Sequence, residues 1–208
     1  MNSKRCLALS LLFCLAAAGV AASRLSAQEK DVKWISLFNG QDLKGWTVRG
    51  KAEWKVENGV LVGRGGMGHI YADPVVRDLE VKGRFRVSAK GNSGFYFRSH
   101  WPTDDPDRFP RGYEAQIDNG SKAFTGWLWK PGTPTCEAKS LITRDDEWFE
   151  LRIEAVGERI RIWVNEKLMT ECQDKEYTEG RFAVQGHNPG MTIEAKDLFY
   201  RPLSPAKP

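Results

Sequence analysis

The sequence predicts an all-β protein, built either as two stacked sheets or as a barrel. From Trp34 onward, apolar and polar residues alternate within short segments, and turn residues separate one segment from the next. No stretch of helix length carries an apolar stripe with a helical period. About a dozen short strands at such spacing are typical of a β-sandwich or a β-barrel.

The strands are assigned by this alternation. The three clearest are Leu79 to Val87, Phe149 to Ala155 and Arg159 to Asn165, and Gly157-Glu158 predicts a hairpin turn between the last two. Further strands are predicted at residues 34–38, 54–57, 60–63, 93–100, 113–118, 181–187 and 191–200. The Pro-containing connections 101–111 and 130–136 are predicted to be loops rather than strands, and we expect them to wall a groove.

Residues 1–27 have the layout of a secretory signal peptide. Lys4 and Arg5 precede an apolar run from Leu7 to Val20, and small residues follow. The run is too short to span a membrane. We therefore expect an exported protein, periplasmic or extracellular, with one β-sandwich domain over residues 28–203 and a disordered tail at 204–208.

The charge balance argues against a nucleic-acid or anionic-membrane partner. The chain has 31 basic and 27 acidic residues, and loss of Lys4, Arg5 and Arg24 with the signal peptide would leave 28 and 27. Binding to a polyanion would require a clustered basic surplus. The oligomeric state is not indicated by the sequence.

Two cysteines, Cys136 and Cys172, lie outside the predicted signal peptide. An oxidising compartment allows a disulfide between them without requiring one. Neither has a CxxC or CxxH companion, so a zinc site is not predicted. The sequence predicts no cofactor and leaves a divalent metal open.

The strand at residues 113–118 has the most informative pattern. Alternation sends Glu114, Gln116 and Asp118 to one face and the apolar residues to the other. These side chains suit a half-buried strand poorly, but they accept hydrogen bonds from hydroxyl groups, and the two carboxylates can move protons. For this segment alone, a solvated sheet face is an equally good interpretation.

Two other predicted strands also carry a polar face. Tyr96, Arg98 and His100 share one side of the strand at 93–100, and Gln185 and His187 share one side of the strand at 181–187. If these strands are neighbours of 113–118, the polar groups form one surface suited to a sugar. His187 is the favoured general acid or base and His100 the second candidate, because the ordinary pKa of histidine is near neutrality.

Tryptophan faces could supply a stacking platform for a pyranose ring. Trp127, Trp129 and Trp101 are the candidates, whereas core packing is the better interpretation for most of the eight tryptophans. By contrast, His69, which follows Met67-Gly68, is interpreted as a surface residue or a hydrogen-bonded core residue.

Classical glycoside hydrolysis is disfavoured by the spacing of the carboxylates. It needs two carboxyl groups roughly 5 to 9.5 Å apart, but Glu114 and Asp118 on one extended strand would be about 13 Å apart. The acidic cluster at Asp104, Asp105 and Asp107 lacks a Gly-centred calcium loop and is interpreted as a solvated rim.

Five further segments stand out when they are taken in order along the chain. They are Leu37-Phe38-Asn39-Gly40-Gln41-Asp42-Leu43-Lys44-Gly45-Trp46, Trp54-Lys55-Val56-Glu57-Asn58-Gly59-Val60-Leu61, Asn92-Ser93-Gly94-Phe95-Tyr96-Phe97-Arg98, Gly112 to Asn119, and Gln185-Gly186-His187. Together they resemble the hallmarks of the 3-keto-disaccharide hydrolase family, and the resemblance extends from about Trp34 to Pro202. It implies a concanavalin A-like jelly-roll β-sandwich, antiparallel and two-sheeted, that cleaves glycosides already oxidised at C3.

The resemblance also implies roles for single residues. Glu114 and His187 would transfer protons, and Arg98 and Gln116 would hold the oxygens of the substrate. Asp118 or Asn119 would occupy the acidic position of the family's strand, since this chain has one residue fewer there. Asn165-Glu166 replaces the family's usual Asn-Gly turn. The expected substrate-binding set is Gln116, Asp118, Asn92, Ser93, Tyr96, Gln185, Trp127 and His100.

Two other functions stay open: a carbohydrate-binding module without catalysis, and a cell-surface interaction domain without sugar affinity. The enzymatic hypothesis requires Arg98, Glu114 and His187 to converge on one hollow that a ligand can reach.

Overall fold

The computed structural model describes residues 33–102, 105 and 108–204. These residues form fifteen strands and no helix, so nothing among them could cross a membrane as a helix. The predicted signal peptide and Asp104 and Asp107 lie outside the described residues. The strands are β1 (Ile35–Ser36), β2 (Trp46–Gly50), β3 (Glu53–Glu57), β4 (Val60–Arg64), β5 (Gly68–Ala72), β6 (Leu79–Val87), β7 (Asn92–His100), β8 (Arg111–Asp118), β9 (Leu128–Lys130), β10 (Thr133–Cys136), β11 (Phe149–Val156), β12 (Arg159–Val164), β13 (Lys167–Gln173), β14 (Arg181–Gly186) and β15 (Thr192–Pro202).

The strands form two antiparallel sheets, which confirms the predicted jelly-roll sandwich. The eight-stranded sheet has the order β13-β12-β11-β6-β15-β4-β3, with β1 paired to β15. The seven-stranded sheet has the order β10-β9-β8-β7-β14-β5-β2. Strands adjacent in a sheet are often distant in sequence, as β6 and β15 are, so the hydrophobic alternation of each strand must match one shared core.

The core lies between the sheets and is built from the apolar faces of both. Phe85 of β6 contacts Phe95 of β7 and Phe149 of β11, with ring centroids 5.1 and 6.3 Å apart. Phe95 in turn stacks on Phe182 of β14. All four aromatic side chains are buried, and full burial of a side chain of this size contributes about 1.5 to 3 kcal/mol.

The prediction that residues 130–136 form no strand is wrong. Lys130 ends β9 and Thr133 begins β10, so this connection is a tight hairpin. β10 lies at the edge of its sheet and pairs only with β9, a position that tolerates Pro134 because no ladder hydrogen bond from its nitrogen is needed.

The hairpin between β12 and β13 forms in spite of the Asn165-Glu166 sequence. Both residues have positive φ, 47° and 65°, as a two-residue type I′ turn requires, and that turn more often takes Asn-Gly.

A disulfide joins Cys136 at the end of β10 to Cys172 in β13. These strands are edge strands of different sheets, so the bond ties the two layers together along one side of the sandwich.

Candidate functional site

The seven-stranded sheet turns one face to the core, and we call the opposite face the outer face. Cross-strand register aligns two rows of side chains on it. The first row runs through Thr47, Tyr71, Ala183, Tyr96, Glu114 and Trp129. The second contains the partners Arg49, His69 and Gln185, and the pair Gly94 and Gln116. The expectation that the three polar strand faces lie on one surface is therefore confirmed for Tyr96, Glu114, Gln116 and Gln185.

Gly94 leaves the space that the Glu114 carboxylate occupies. A Cβ at position 94 would overlap the carboxylate, so the side chain of Glu114 lies across β7, between the two rows. The sequence pattern Gly-x-Tyr at residues 94–96 thus both makes room for the carboxylate and supplies a hydroxyl beside it.

A chain of hydrogen bonds extends from Glu114 across the sheet. The Tyr96 hydroxyl donates to Glu114 Oε2 over 2.7 Å, and it accepts from Gln185 Nε2 over 3.0 Å. Gln185 Nε2 also lies 3.3 Å from Nε2 of His69. The four side chains come from β8, β7, β14 and β5, so the chain forms only when these strands are in register.

Burial governs the ionisation of both ends of this chain. It raises the pKa of Glu114 to about 8, against a smaller lowering by the hydrogen bond from Tyr96. Burial, with a smaller contribution from nearby His187, lowers the pKa of His69 to about 3. Because both shifts disfavour the charged form, the two groups are mostly uncharged at pH 7.

Unpartnered polar atoms are concentrated at this face. Among the described residues, seven buried side-chain nitrogen or oxygen atoms have no hydrogen-bond partner, and five of them belong to the outer face or to His187 at its end. Buried polar groups are nearly always paired, so such a cluster is typical of a site that binds something polar. The five atoms are His69 Nδ1, Tyr71 OH, Trp129 Nε1, Gln185 Oε1 and His187 Nδ1.

Asn92, Gln116 and Asp118 continue the face toward the end where β8 stops. Gln116 Nε2 donates to Asn92 Oδ1 over 3.5 Å, and Asp118 Oδ1 accepts from the backbone of Gly120 over 2.7 Å. Asp118 therefore also shapes the loop that follows β8. Asn119 is turned away from this set and accepts from the Thr143 hydroxyl.

His187 lies half-buried just beyond β14. Its ring is 6.0 Å from the ring of Phe109. Burial lowers its pKa, and the charge of Asp118 acts in the opposite direction. His187 and Glu114 therefore belong to the same side of the protein, as the sequence predicts.

The placement predicted for Arg98 is wrong. Its guanidinium is 1% exposed and points between the sheets, where it donates to the carbonyl oxygens of Arg77 and Gly157 and to Asp78 Oδ1 over 2.7, 2.8 and 3.1 Å. The cause is an irregularity in β7. Arg98 has φ of 47° and the register shifts between Phe97 and His100, which resets the alternation.

Three other expected substrate-binding residues lie away from the outer face. Ser93 is buried on the core side and donates to the Gln185 carbonyl over 2.7 Å. Trp127 packs against the core beside Phe124. His100 is exposed at the far end of β7, where its Nε2 lies 2.9 Å from the Glu179 carbonyl oxygen.

Trp129, one of the predicted stacking candidates, lies beside Glu114 in the first row, because it alternates with Leu128, which enters the core. His69 joins the site without having been predicted there. His69 lies beside Gln185 and is fully buried. The alternation of His69 and Tyr71 with Ile70 and Ala72 was the available signal for a strand, and the preceding glycines obscured it.

The prediction that the two long connections wall a groove holds for connection 101–111 but not for 130–136. A groove of about 1040 Å³ is lined by Trp101 and Phe109 of the first connection and by residues 176–179, whereas the 130–136 hairpin contributes Pro131. Trp101 also reaches the outer face, where it contacts Tyr71 edge-on with centroids 5.6 Å apart. Within the described part of the chain, no group of three or more His, Cys, Asp or Glu side chains is arranged to hold a metal ion.

The chain matches one known protein family. A family model described as a 3-keto-alpha-glucoside-1,2-lyase-like domain matches residues 33–201. No curated protein matches the sequence significantly.

Several solved structures share the fold. A Parabacteroides distasonis protein, provisionally named a glycosyl hydrolase, is 19% identical with a TM-score of 0.69, covering 86% of this chain and 97% of that one. Carbohydrate-binding module CBM66 from Bacillus subtilis is 21% identical with a TM-score of 0.62, covering 79% and 99%. A galectin-like protein of unknown function from Bacillus subtilis is 14% identical with a TM-score of 0.63, covering 84% and 96%.

Proposed function

Because the chain belongs to the family of 3-keto-alpha-glucoside-1,2-lyase-like domains, we propose that it is an enzyme that cleaves glycosides carrying a keto group at C3. Membership of the family indicates a protein that is glycoside hydrolase-like or binds carbohydrate in a jelly roll. The specific reaction is inferred from the outer face.

The proposed reaction needs one well-placed base rather than a pair of carboxylates. The C3 carbonyl acidifies the proton on C2, and the base removes that proton to form an enolate. The enolate returns its electron pair to form the C1–C2 double bond and expels the C1 substituent, whose oxygen takes up a proton. Addition of water, with hydroxide to C1 and a proton to C2, completes hydrolysis, and release before this step makes the enzyme a lyase.

Glu114 is the base, and its environment is the observation that carries the proposal. The residue is 9% exposed, and its carboxylate accepts a hydrogen bond from Tyr96. Burial raises its pKa to about 8. A base with a pKa close to the working pH removes a carbon-bound proton more effectively than an ordinary carboxylate does.

The neighbouring groups bind the sugar. Trp129 presents an aromatic ring beside Glu114 for stacking, and the side chains of Gln116 and Asn92 offer amides to the hydroxyl groups. His187 or the protonated Glu114 delivers a proton to the departing oxygen. The convergence of Arg98, Glu114 and His187 that the sequence analysis required is not met, because the Arg98 guanidinium is buried and bound to Gly157 and Asp78. The proposal therefore gives Arg98 no part in the chemistry and rests on Glu114.

The test is cleavage of a 3-keto-disaccharide and of the same disaccharide without oxidation. We expect the wild-type protein to cleave the first and not the second, and Glu114→Gln to lose activity at least about 100-fold, the lower end of the range for general-base removal. Glu150→Gln, in the opposite sheet, is the matched control and should cleave normally. Full activity in Glu114→Gln would exclude Glu114 as the base.

A second candidate function is sugar binding without catalysis. It is supported by the amide groups of Gln116 and Asn92 and the ring of Trp129 on the outer face, which suit a sugar without requiring any reaction. Calorimetry separates the two candidates. A pure binding module would bind oxidised and unoxidised disaccharides and release no product from either.

We also propose that the protein is exported, with residues 1–27 removed as a signal peptide. The motif in the sequence supports this proposal. Amino-terminal sequencing of the protein recovered from its native host should begin after residue 18, 22 or 27. A mature protein that begins at Met1 would contradict it.

A further inference from the structure

The hydrogen-bond chain behind Glu114 ends at His69, a titratable residue that the proposed reaction does not use. His69 is fully buried, and its ring is 5.3 Å from that of Tyr96 in an edge-on contact. No substrate can touch it without rearrangement of the sheet face. A role for His69 must therefore act through Gln185 and Tyr96.

The partners of Gln185 determine which nitrogen of His69 carries the proton. An amide nitrogen is only a donor, and Gln185 Nε2 lies 3.0 Å from the Tyr96 hydroxyl oxygen and 3.3 Å from His69 Nε2. With the amide in this orientation His69 Nε2 accepts, so the neutral ring carries its proton on Nδ1, which has no partner among the described residues. The Tyr96 oxygen accepts from Gln185, which leaves its own proton to donate to Glu114.

We propose that His69 is a positioning residue, which holds the side-chain amide of Gln185 in the orientation that directs the Tyr96 hydroxyl proton onto Glu114. The functional importance of this arrangement rests on the proposed role of Glu114 as the base. The hydrogen-bond geometry itself does not depend on that role.

Transfer of the His69 proton from Nδ1 to Nε2 would reverse the direction of the hydrogen bonds in the chain. A proton on His69 Nε2 would face the NH₂ group of Gln185, and the amide would rotate to present Oε1 instead. Tyr96 would then donate to Gln185 and no longer to Glu114. The Glu114 carboxylate would lose a hydrogen bond, and its ionised form would become less stable.

The other charged and titratable groups near the hydrogen-bond chain come from β2, β5, β8 and the segment after β14. Tyr71 of β5 and Arg49 of β2 lie on its far side. His187, after β14, acts on His69, and Asp118 of β8 acts on His187. Burial, the larger effect, raises the pKa of Glu114, and the bond from Tyr96 lowers it, so loss of that bond would raise the pKa further.

The variants His69→Gln and His69→Asn form a matched test. A glutamine amide reaches the position of Nε2 and can accept from Gln185, whereas an asparagine amide reaches only the position of Nδ1. We expect the apparent pKa of Glu114 to stay near its wild-type value in His69→Gln. In His69→Asn it should rise by about one pH unit, the size expected for a lost hydrogen bond to a charged group.

The measurement is a ¹³C NMR titration of the Glu114 carboxyl carbon in both variants and in wild type, with thermal unfolding to establish that each variant is folded. Activity is the second readout, and kcat/KM at pH 7 should be about tenfold lower in His69→Asn than in His69→Gln. Equal Glu114 titration in the two variants would overturn the inference.

A wild-type measurement does not depend on the variants folding. The ¹⁵N shifts of His69 should show a protonated Nδ1 and an unprotonated Nε2 between pH 5 and 8, and a protonated Nε2 would overturn the inference. Both NMR readouts are independent of cleavage. If wild type fails to cleave a 3-keto-disaccharide, the proposed function fails while these readouts still decide the role of His69.

Discussion

At the scale of single residues, the candidate site is defined by Glu114, a carboxyl group whose ionised form the fold destabilises. The pKa of Glu114 is raised from an ordinary 4.5 to about 8. The folded protein therefore retains a proton at pH values where the unfolded chain has lost it. Such a group favours the folded state fully below pH 4.5, and this contribution is lost as the pH rises through 8.

Glu114→Gln should consequently stabilise the protein at neutral pH. The amide cannot ionise, so the variant should be more stable than wild type by up to about 3 kcal/mol at pH 7 and by little at pH 5. Urea unfolding at pH 5, 7 and 9 measures the difference. A stability difference that does not grow with pH would contradict the raised pKa.

The same group should control the pH dependence of cleavage. Glu114 must be ionised to take a proton, so kcat/KM should rise with pH and reach a plateau above about 8. Initial rates on a 3-keto-disaccharide between pH 5 and 10 test this. A profile already flat from pH 5 to 7, as an ordinary carboxylate would give, would argue against this residue.

At the scale of elements, the sequence predicted best the strands in which every residue alternates. β6, β11 and β12 were predicted nearly to the residue because each turns one apolar face to the core. β5 was missed because the glycines at 65, 66 and 68 hide a short strand. The prediction for Arg98 failed because Arg98 itself has positive φ, which turns its side chain away from the face that alternation predicts. The alternation of apolar and polar residues gives no indication of such a backbone conformation.

The glycines that face Arg98 and Ser99 explain how β7 accommodates its irregularity. A Cβ at Gly112 or Gly180 would lie 2.6 or 2.4 Å from the nearest backbone atom of that segment. Neighbouring strands therefore approach β7 closely at this point. These close approaches depend on tertiary pairing, which cannot be seen in one strand's sequence.

Gly94→Ala tests whether activity depends on the observed position of the Glu114 carboxylate, because it changes that position and leaves the carboxyl group in place. The added methyl would displace the carboxylate, and misplacement of about 1 Å lowers activity roughly 100-fold. Gly120→Ala is a suitable control, since its Cβ would make only an ordinary contact, 3.7 Å from Asp118 Oδ1. Cleavage rates with matched unfolding curves test this. Normal activity in Gly94→Ala would show that the carboxylate does not need its observed position.

At the scale of the whole molecule, the two outward faces of the sandwich differ in how their polar groups are satisfied. On the eight-stranded sheet, Glu80 accepts from Arg152 and Arg201, and Glu154 accepts from Arg161. On the seven-stranded sheet, five buried polar atoms of the outer face and of His187 have no partner among the described residues. This contrast supports the proposed ligand site on the seven-stranded sheet, and it depends on strand pairing that the sequence alone did not reveal.

The disulfide between the sheets should contribute to stability and not to activity. It closes a loop of 36 residues, for which chain entropy gives about 3 to 4 kcal/mol. Replacement of both Cys136 and Cys172 by alanine should lower the free energy of unfolding by about that amount. Cleavage at a temperature where the variant is folded should be unchanged, and a large loss of kcat there would contradict a purely structural role.

We propose above all that Glu114 removes the proton from C2 of an oxidised sugar. Mass spectrometry of the product formed from a 3-keto-glycoside in D₂O, corrected for exchange without enzyme, tests this step. With wild-type protein, the product of full hydrolysis should carry one deuterium at C2, and a product released after elimination should carry a C1–C2 double bond and no hydrogen at C2. Glu114→Gln should show no enzyme-dependent loss of the C2 proton. Cleavage by the wild type that keeps the original hydrogen at C2 would exclude this mechanism.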